Sequence, residues 1–201
     1  MRTSLQEQFG NIDIYLFDQL LRGRIVPGMR VFDAGCGGGR NLVYLLRNGY
    51  DVAGNDQDPN AVAQLRALAE SVAPDRAHDF RIEPIEATSF PDASFDVVIA
   101  SAVLHFARDA AHFESMLRQL WRVLKPGGMF FARLASTIGL DDAAPLGHGR
   151  YRLPDGSDRY LVDAAAIEAW TGMLGGTLID PIKTTVVHEQ RSMTTWVAAR
   201  R

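Results

Sequence analysis

Between Val31 and Asn41 the chain reads VFDAGCGGGRN, an acid followed by four glycines, Gly35, Gly37, Gly38 and Gly39, at the end of an apolar run. Glycines at such a junction let the backbone turn sharply and let a ligand approach with no Cβ in the way. Asp56 closes a second apolar run, YDVAGND, about twenty residues further on, where an acid accepts both hydroxyls of a ribose. Turn and acid together describe a cradle for a nucleoside-bearing ligand.

The details of the turn narrow the ligand. A dinucleotide turn wants GxGxxG, the third glycine allowing close helix packing. Gly35 and Gly37 meet the first two positions, but Arg40 holds the third. Asp33, just ahead of the glycines, repels a pyrophosphate and attracts an ammonium or sulfonium. S-adenosylmethionine therefore fits better than NAD. Cys36 reads as a small residue packed under the turn, since nothing near it signals a lowered pKa. Arg40 either reaches an anionic acceptor or the cofactor carboxylate, or lies in solvent. His105, after a strongly apolar run, is either a general base or packing. Tyr15 either covers the methionine end of the ligand or belongs to a core stripe. No HxxxH, HxH or Cys/His pair has metal-ligand spacing, so no metal is expected.

These residues need a frame, and the pattern supplies one. Residues 5–22 carry apolar side chains near helical spacing. From Pro27-Gly28 onward β-rich runs alternate with helical ones: MRVFDAG, then NLVYLLRNG; YDVAGND, then PNAVAQLRALAESVA; FRIEPI; SFDVVIAS, then AAHFESMLRQLWRVL; GMFFARLAS. Such alternation predicts an α/β fold, a Rossmann-like, doubly wound, seven-stranded, mostly parallel sheet with helices on both faces. Lys125-Pro126-Gly127-Gly128 reads as a turn entering the fifth strand. Residues 137–162 are rich in Gly, Pro and Asp and read as a lid loop. One helix and a C-terminal antiparallel hairpin, GTLIDPIKTTVVHE with QRSMTTWVAAR, complete the pattern. The organisation expected is a single domain: an N-terminal helix cap (1–28), a cofactor-binding core (29–136), the lid (137–162), and the C-terminal helix and hairpin (163–201).

DAGCGGGRN resembles the first motif of class I S-adenosylmethionine-dependent methyltransferases of the type 11/25 kind, and GNDQDPNAV resembles the second, which places Asp56 on the ribose. FPDASFDVVIASAVLHF and RQLWRVLKPGGMFF resemble the motifs of the fourth and fifth strands, in the same order. The resemblance covers residues 30–135 and implies a cofactor set of Asp33, Ala34, Gly35, Cys36, Gly37, Asn41, Asp56, Gln57, Glu86, Ala87 and Ser101. Two members depart from the pattern. Gln57 stands where an apolar residue usually packs on adenine, and Glu86 stands in for an Asp on the adenine amino group. CGGGRNLVYLLRNGYDV is also similar to a stretch of the tellurite-resistance methyltransferases. That similarity implies acceptor-side roles for residues of the late hairpin, here His188 and Arg191. With His105 and Arg40 they form the expected catalytic group.

The composition frames the rest. In 201 residues the hydrophobic content is 47% and the charged content 22%, which fits a globular domain with a sizeable core. No apolar run approaches the ~18–20 residues of a membrane helix, and the N-terminus lacks the apolar core of a secretory signal. A single cysteine excludes an internal disulfide and agrees with a cytoplasmic location. Of 21 basic residues only Lys125 and Lys183 are lysines, the arginines are scattered, and the net charge is −3, so no nucleic-acid stripe is visible. The expected partner is a small-molecule methyl acceptor, with S-adenosylhomocysteine as the other product, and the expected assembly is a monomer or homodimer. Arg40, Arg152, Arg159, His188 and Arg191 either converge on an acceptor that is anionic or becomes so, or are simply solvated members of an arginine-rich set. The rival readings are an NAD(P)-dependent oxidoreductase and a cofactor-binding protein without turnover.

Overall fold

The computed structural model describes residues 4–140, 142–188 and 190–201. Two short helices open it, α1 (Leu5–Phe9) and α2 (Ile14–Leu21). The single helix expected over 5–22 is interrupted because Gly10 turns at φ +61° and the buried Asp13 caps α2 by accepting from the Tyr15 N–H. The core then alternates as anticipated. It runs β1 (Arg30–Ala34), α3 (Val43–Arg47), β2 (Asp51–Asp56), α4 (Pro59–Val72), β3 (Asp79–Ile82), β4 (Phe95–Ser101), α5 (Ala110–Val123) and β5 (Leu124–Ala135). The Lys125–Gly128 segment belongs to β5 as an irregular start, with a register shift against β4 between Phe95 and Val97.

Residues expected to be a lid loop fold as a small antiparallel sheet of β6 (Ala144–Gly147), β7 (Arg150–Arg152) and β8 (Asp158–Tyr160). Strands this short carry too few alternating side chains to register in a hydropathy pattern. After α6 (Ala164–Met173), the first arm of the expected hairpin divides into β9 (Gly176–Leu178) and β10 (Lys183–Val187), and β11 (Arg191–Arg200) completes the chain. The division falls at Asp180-Pro181. Proline has no N–H for a ladder, and the buried Asp180 carboxylate is taken by Gln19 and Arg24 beside α2.

The main sheet has the order β10-β11-β5-β4-β1-β2-β3, with β9 added as an eighth strand against β11. β1 through β5 pair in parallel, whereas β11 is antiparallel to β5, β9 and β10. Successive side chains of a strand serve opposite faces. On β5, Phe130, Ala132 and Leu134 pack with α5 and α6, while Met129 and Phe131 pack with the layer of α2, α3 and α4. The chain leaves β1 toward β2 on one side and finds β4 on the other. This reversal of strand order opens a crevice beyond the carboxyl ends of the strands, the usual ligand position in such sheets.

Trp196 anchors the antiparallel edge. It is fully buried, meets Phe130 edge-on and donates from Nε1 to the Thr171 hydroxyl at 3.0 Å. Trp196→Ala is expected to cost about 3–5 kcal/mol, the scale of an aromatic deletion in a core. Urea denaturation followed by circular dichroism checks this, and a loss below 1 kcal/mol (on the order of a surface substitution) would contradict it.

Candidate functional site

Three adjoining cavities, of about 500, 430 and 330 Å³, line the carboxyl ends of the strands, and Ala102 borders all of them. Ala102 follows β4 with φ +62°, a left-handed conformation that is strained for a residue with a Cβ. Its N–H is held by the Arg133 carbonyl at 2.7 Å. The first two cavities also share Gly35. A Cβ on Gly35 would come within 2.4 Å of Val103, so glycine here lets β1 and the segment after β4 close together at the crevice.

The glycine turn separates two tasks. At Gly37, φ is +52° and an added Cβ would meet no protein atom within 4 Å, so the turn faces open space inside the second cavity. The Gly37 N–H donates to Asp56 Oδ2 at 2.9 Å, and the Asp58 N–H to Oδ1 at 3.0 Å. Two backbone donors therefore hold the Asp56 carboxylate at the wall of the first cavity, leaving further lone pairs free. Beneath the turn Asp33 is 2% exposed, and its Oδ2 has no hydrogen-bond partner among the described residues. Burial pushes the Asp33 carboxyl up to about 7; the nearby Arg40 cation works against this and the Asp56 anion adds to it. A buried carboxylate oxygen without a donor is costly and marks a place where a ligand donor belongs.

The remaining expected cofactor residues divide. Cys36, Asn41 and Ser101 border the second cavity, together with Arg40 of the expected catalytic group, while Gln57 and Glu86 border the first. Ala34 is buried within β1 and Ala87 faces solvent, and neither borders a cavity. Arg40 is exposed but held: it donates to the Ser101 hydroxyl at 2.9 Å and to the Asn11 carbonyl at 3.4 Å. Asn41 Oδ1 accepts from the Asp13 N–H, tying the turn to the start of α2. Glu86 lies 3.0 Å from His112 Nε2 on its outer side. Burial raises the Cys36 thiol, as expected of a packed rather than nucleophilic cysteine.

The third cavity gathers His105, Arg133, Arg159 and Arg191 with one carboxylate, Asp155, the hydroxyls of Ser157 and Ser192, and apolar Leu153, Val187 and Met193. His105 is driven down to about 4, first by burial and then by the Arg159 cation. Its Nδ1 accepts from the Ala135 N–H at 3.3 Å, so the proton of the neutral ring sits on Nε2. His105 thus borders the cavity as a neutral ring. His188 does not join it there. It is exposed in the turn after β10, with φ +47°, and borders none of the three cavities. Arg152 faces outward and is paired with Asp158. Tyr15 hydrogen-bonds Thr185 and stacks beside Arg133 rather than bordering a cavity.

Arg133 and Ala102 were missed by sequence reasoning. The signal at Arg133 was a lone cation in the apolar FFARLA run of a buried strand. Nothing in the sequence marks Ala102.

The "Methyltransferase domain" family profile matches residues 32–132. The chain belongs to that family. The ubiquinone biosynthesis O-methyltransferase of Methylocella silvestris is 37% identical over 109 residues, covering 54% of this chain and 41% of that enzyme. The chain therefore spans less than half the length of that relative. Among solved structures, the magnesium protoporphyrin IX methyltransferase of Synechocystis with bound SAM superposes with a TM-score of 0.69 at 21% identity, covering 94% of this chain and 77% of that one. A SAM-dependent methyltransferase of Methanosarcina mazei superposes at 0.71 with 19% identity, covering 90% and 96%. These last two likenesses are of fold.

Two expectations follow. Gly35→Ala is expected to destabilise the fold by a few kcal/mol, on the scale of overpacking plus a strained φ. Gly37→Val is expected to cost less stability, because its side chain meets only open cavity. Thermal melts of the two variants check the order, and a reversed order would contradict it. Asp33 keeps its proton up to about pH 7 in the fold but releases it near pH 4 when unfolded. The folded state then binds more protons between those values, so the ligand-free protein loses up to about 1.4 kcal/mol per pH unit as pH rises through that window. Asp33→Asn should remove this slope and melt above the parent at pH 8; an unchanged slope would show that Asp33 is not its source.

Proposed function

We propose that the chain is an S-adenosylmethionine-dependent methyltransferase acting on a small, anionic acceptor. The observation that carries the reading is the orphaned Asp33 oxygen under a turn with room at Gly37, next to a cation-rich cavity that meets the cofactor cleft at Ala102. The residues present fit the cofactor. Asp33 would take its ammonium, Asp56 its ribose hydroxyls, and Ile85, Val103, Phe106 and Met116 would flank the adenine. Bound there, the cofactor supplies a methyl group already activated on a sulfonium.

The chain's own work is placement. Asp56 is held ready by two N–H donors, and Asp33 is destabilised until a cation arrives. Alignment and exclusion of water contribute most of the barrier lowering, up to ~7–11 kcal/mol in ideal intramolecular cases. Arg159 and Arg191 would receive the acceptor's negative charge. Arg159 also lies over the Phe106 ring at 4.8 Å, so the small sheet reaches from the third cavity to the first. A general base is not required of His105. A thiolate, carboxylate or other oxyanion arrives with its lone pair exposed, and the Nε2–H helps to orient it.

Calorimetry with S-adenosylhomocysteine tests the reading. The parent should bind, and Asp56→Ala should weaken binding by ~1.5–3 kcal/mol, the scale of hydrogen bonds to a charged group. No binding by the parent, or full affinity in a folded Asp56→Ala, would reject the cofactor assignment. In turnover assays across small anionic acceptors, Arg191→Ala should raise KM and leave S-adenosylhomocysteine affinity alone, because it touches one ligand only.

A further inference from the structure

The innermost cation of the third cavity is Arg133, and its bonding is incomplete. The side chain comes from β5 beside the crevice, and the Arg133 carbonyl is the group that holds the strained Ala102. Its Nη1 donates to Asp13 Oδ2 at 2.7 Å, and the Asp13 side chain is fully buried. The Tyr15 ring lies 5.2 Å from the guanidinium carbon, with its own hydroxyl tied to Thr185. These contacts fix the guanidinium plane. Nε is buried without a hydrogen-bond partner. The edge of an arginine that carries Nε matches two oxygens of one planar group, and a buried N–H left unmatched is expensive.

The cations differ in how they are employed. Arg159 donates to its neighbour's carbonyl at 2.8 Å, and Arg191 is 60% exposed with Asp155 3.9 Å away. Arg159 lies on β8 of the small sheet, and Arg191 opens β11 at its turn from β10. Arg133 alone among these three is anchored in the sheet beside the residue where cofactor and acceptor cavities meet. The facing walls at Ala135, Leu153 and Met193 are apolar, and 330 Å³ accommodates a body about the size of one ring.

We propose that Arg133 is a specificity-determining residue that grips a carboxylate of the acceptor through its Nε edge, so that the acceptor is a ring-sized organic acid. This rests on the methyltransferase reading and deepens it. Asp13 holds the fork in place and offsets part of its charge, which makes Arg133 a directional donor.

The experiment is titration of benzoate, as a carboxylate probe, into protein saturated with S-adenosylhomocysteine. The parent should bind benzoate, and Arg133→Met should weaken it roughly tenfold to a hundredfold, the range of charge-assisted hydrogen bonds. Affinity for S-adenosylhomocysteine should be unchanged. Arg133→Lys should not restore benzoate binding, since lysine keeps the charge but loses the fork. If Arg133→Met fails to fold because Asp13 is left buried and unpaired, Asp13→Asn with Arg133→Met removes both charges together and should show the same loss. Benzoate binding that survives in the folded variants, or is absent from the saturated parent, overturns the inference. Failure of the parent to bind S-adenosylhomocysteine overturns the methyltransferase reading itself, and this inference with it.

Discussion

Asp33 is a carboxylic acid at the end of a fully covered strand, with one oxygen unmatched, and much of the surrounding architecture follows from keeping it there. Burial raises its proton affinity, Asp56 raises it further, and Arg40 restrains the rise from across the turn. Among the described residues, none donates to that oxygen. The unmatched oxygen makes the site complementary to a cation carried by a ligand, and the fold bears the cost while the ligand is absent. Stability lost at a functional position is a common bargain in proteins.

Around that acid the crevice is made tight by a short list of contacts. Gly35 admits Val103 where any side chain would collide with it, and Gly54 on β2 gives Cys36 room beneath the turn. The strained Ala102 is secured by the Arg133 carbonyl, so one residue of β5 shapes the backbone at the meeting point of the cavities while its side chain borders one of them. The N-terminal segment is tied in by polar bonds. Asp13 binds Arg133 and Asn41, and Arg40 reaches the Asn11 carbonyl. Segments remote in sequence thereby meet over the cofactor cleft.

The small sheet makes a different kind of contact. Its Tyr160 stacks on Phe113 of α5 at 4.7 Å, and the flanking Leu153 and Leu161 are buried with Ala135 of β5, so apolar packing seats it on the main body. Arg159 across Phe106 and the long Asp155–Arg191 pair add to that seat, and exposed pairs of this sort contribute little stability.

How much was legible in the sequence depends on the range of the interactions involved. The alternation of strands and helices, the glycine turn and the position of Asp56 are local or nearly so, and hydrophobic periodicity with turn chemistry sufficed to find them. The break before α2 and the split at Asp180 escaped because each is decided by a few long-range partners, Asn41 and Arg133 for Asp13 and Arg24 and Gln19 for Asp180, and the small sheet escaped because its strands are too short to show a pattern. Sequence also nominated His105, Arg40, His188 and Arg191 as the catalytic group, and Arg152 and Arg159 beside Arg40, His188 and Arg191 for an anionic acceptor. Only tertiary structure separated them, since bordering a cavity, protonating one ring nitrogen and facing solvent are properties of surroundings and not of residue type. The sequence by itself determined the class of ligand, because an acid and glycines at a strand end act on whatever approaches the backbone there. The identity of the groups that would meet the acceptor was decided by how the small sheet, β5 and β11 come to border one cavity, which no local pattern encodes.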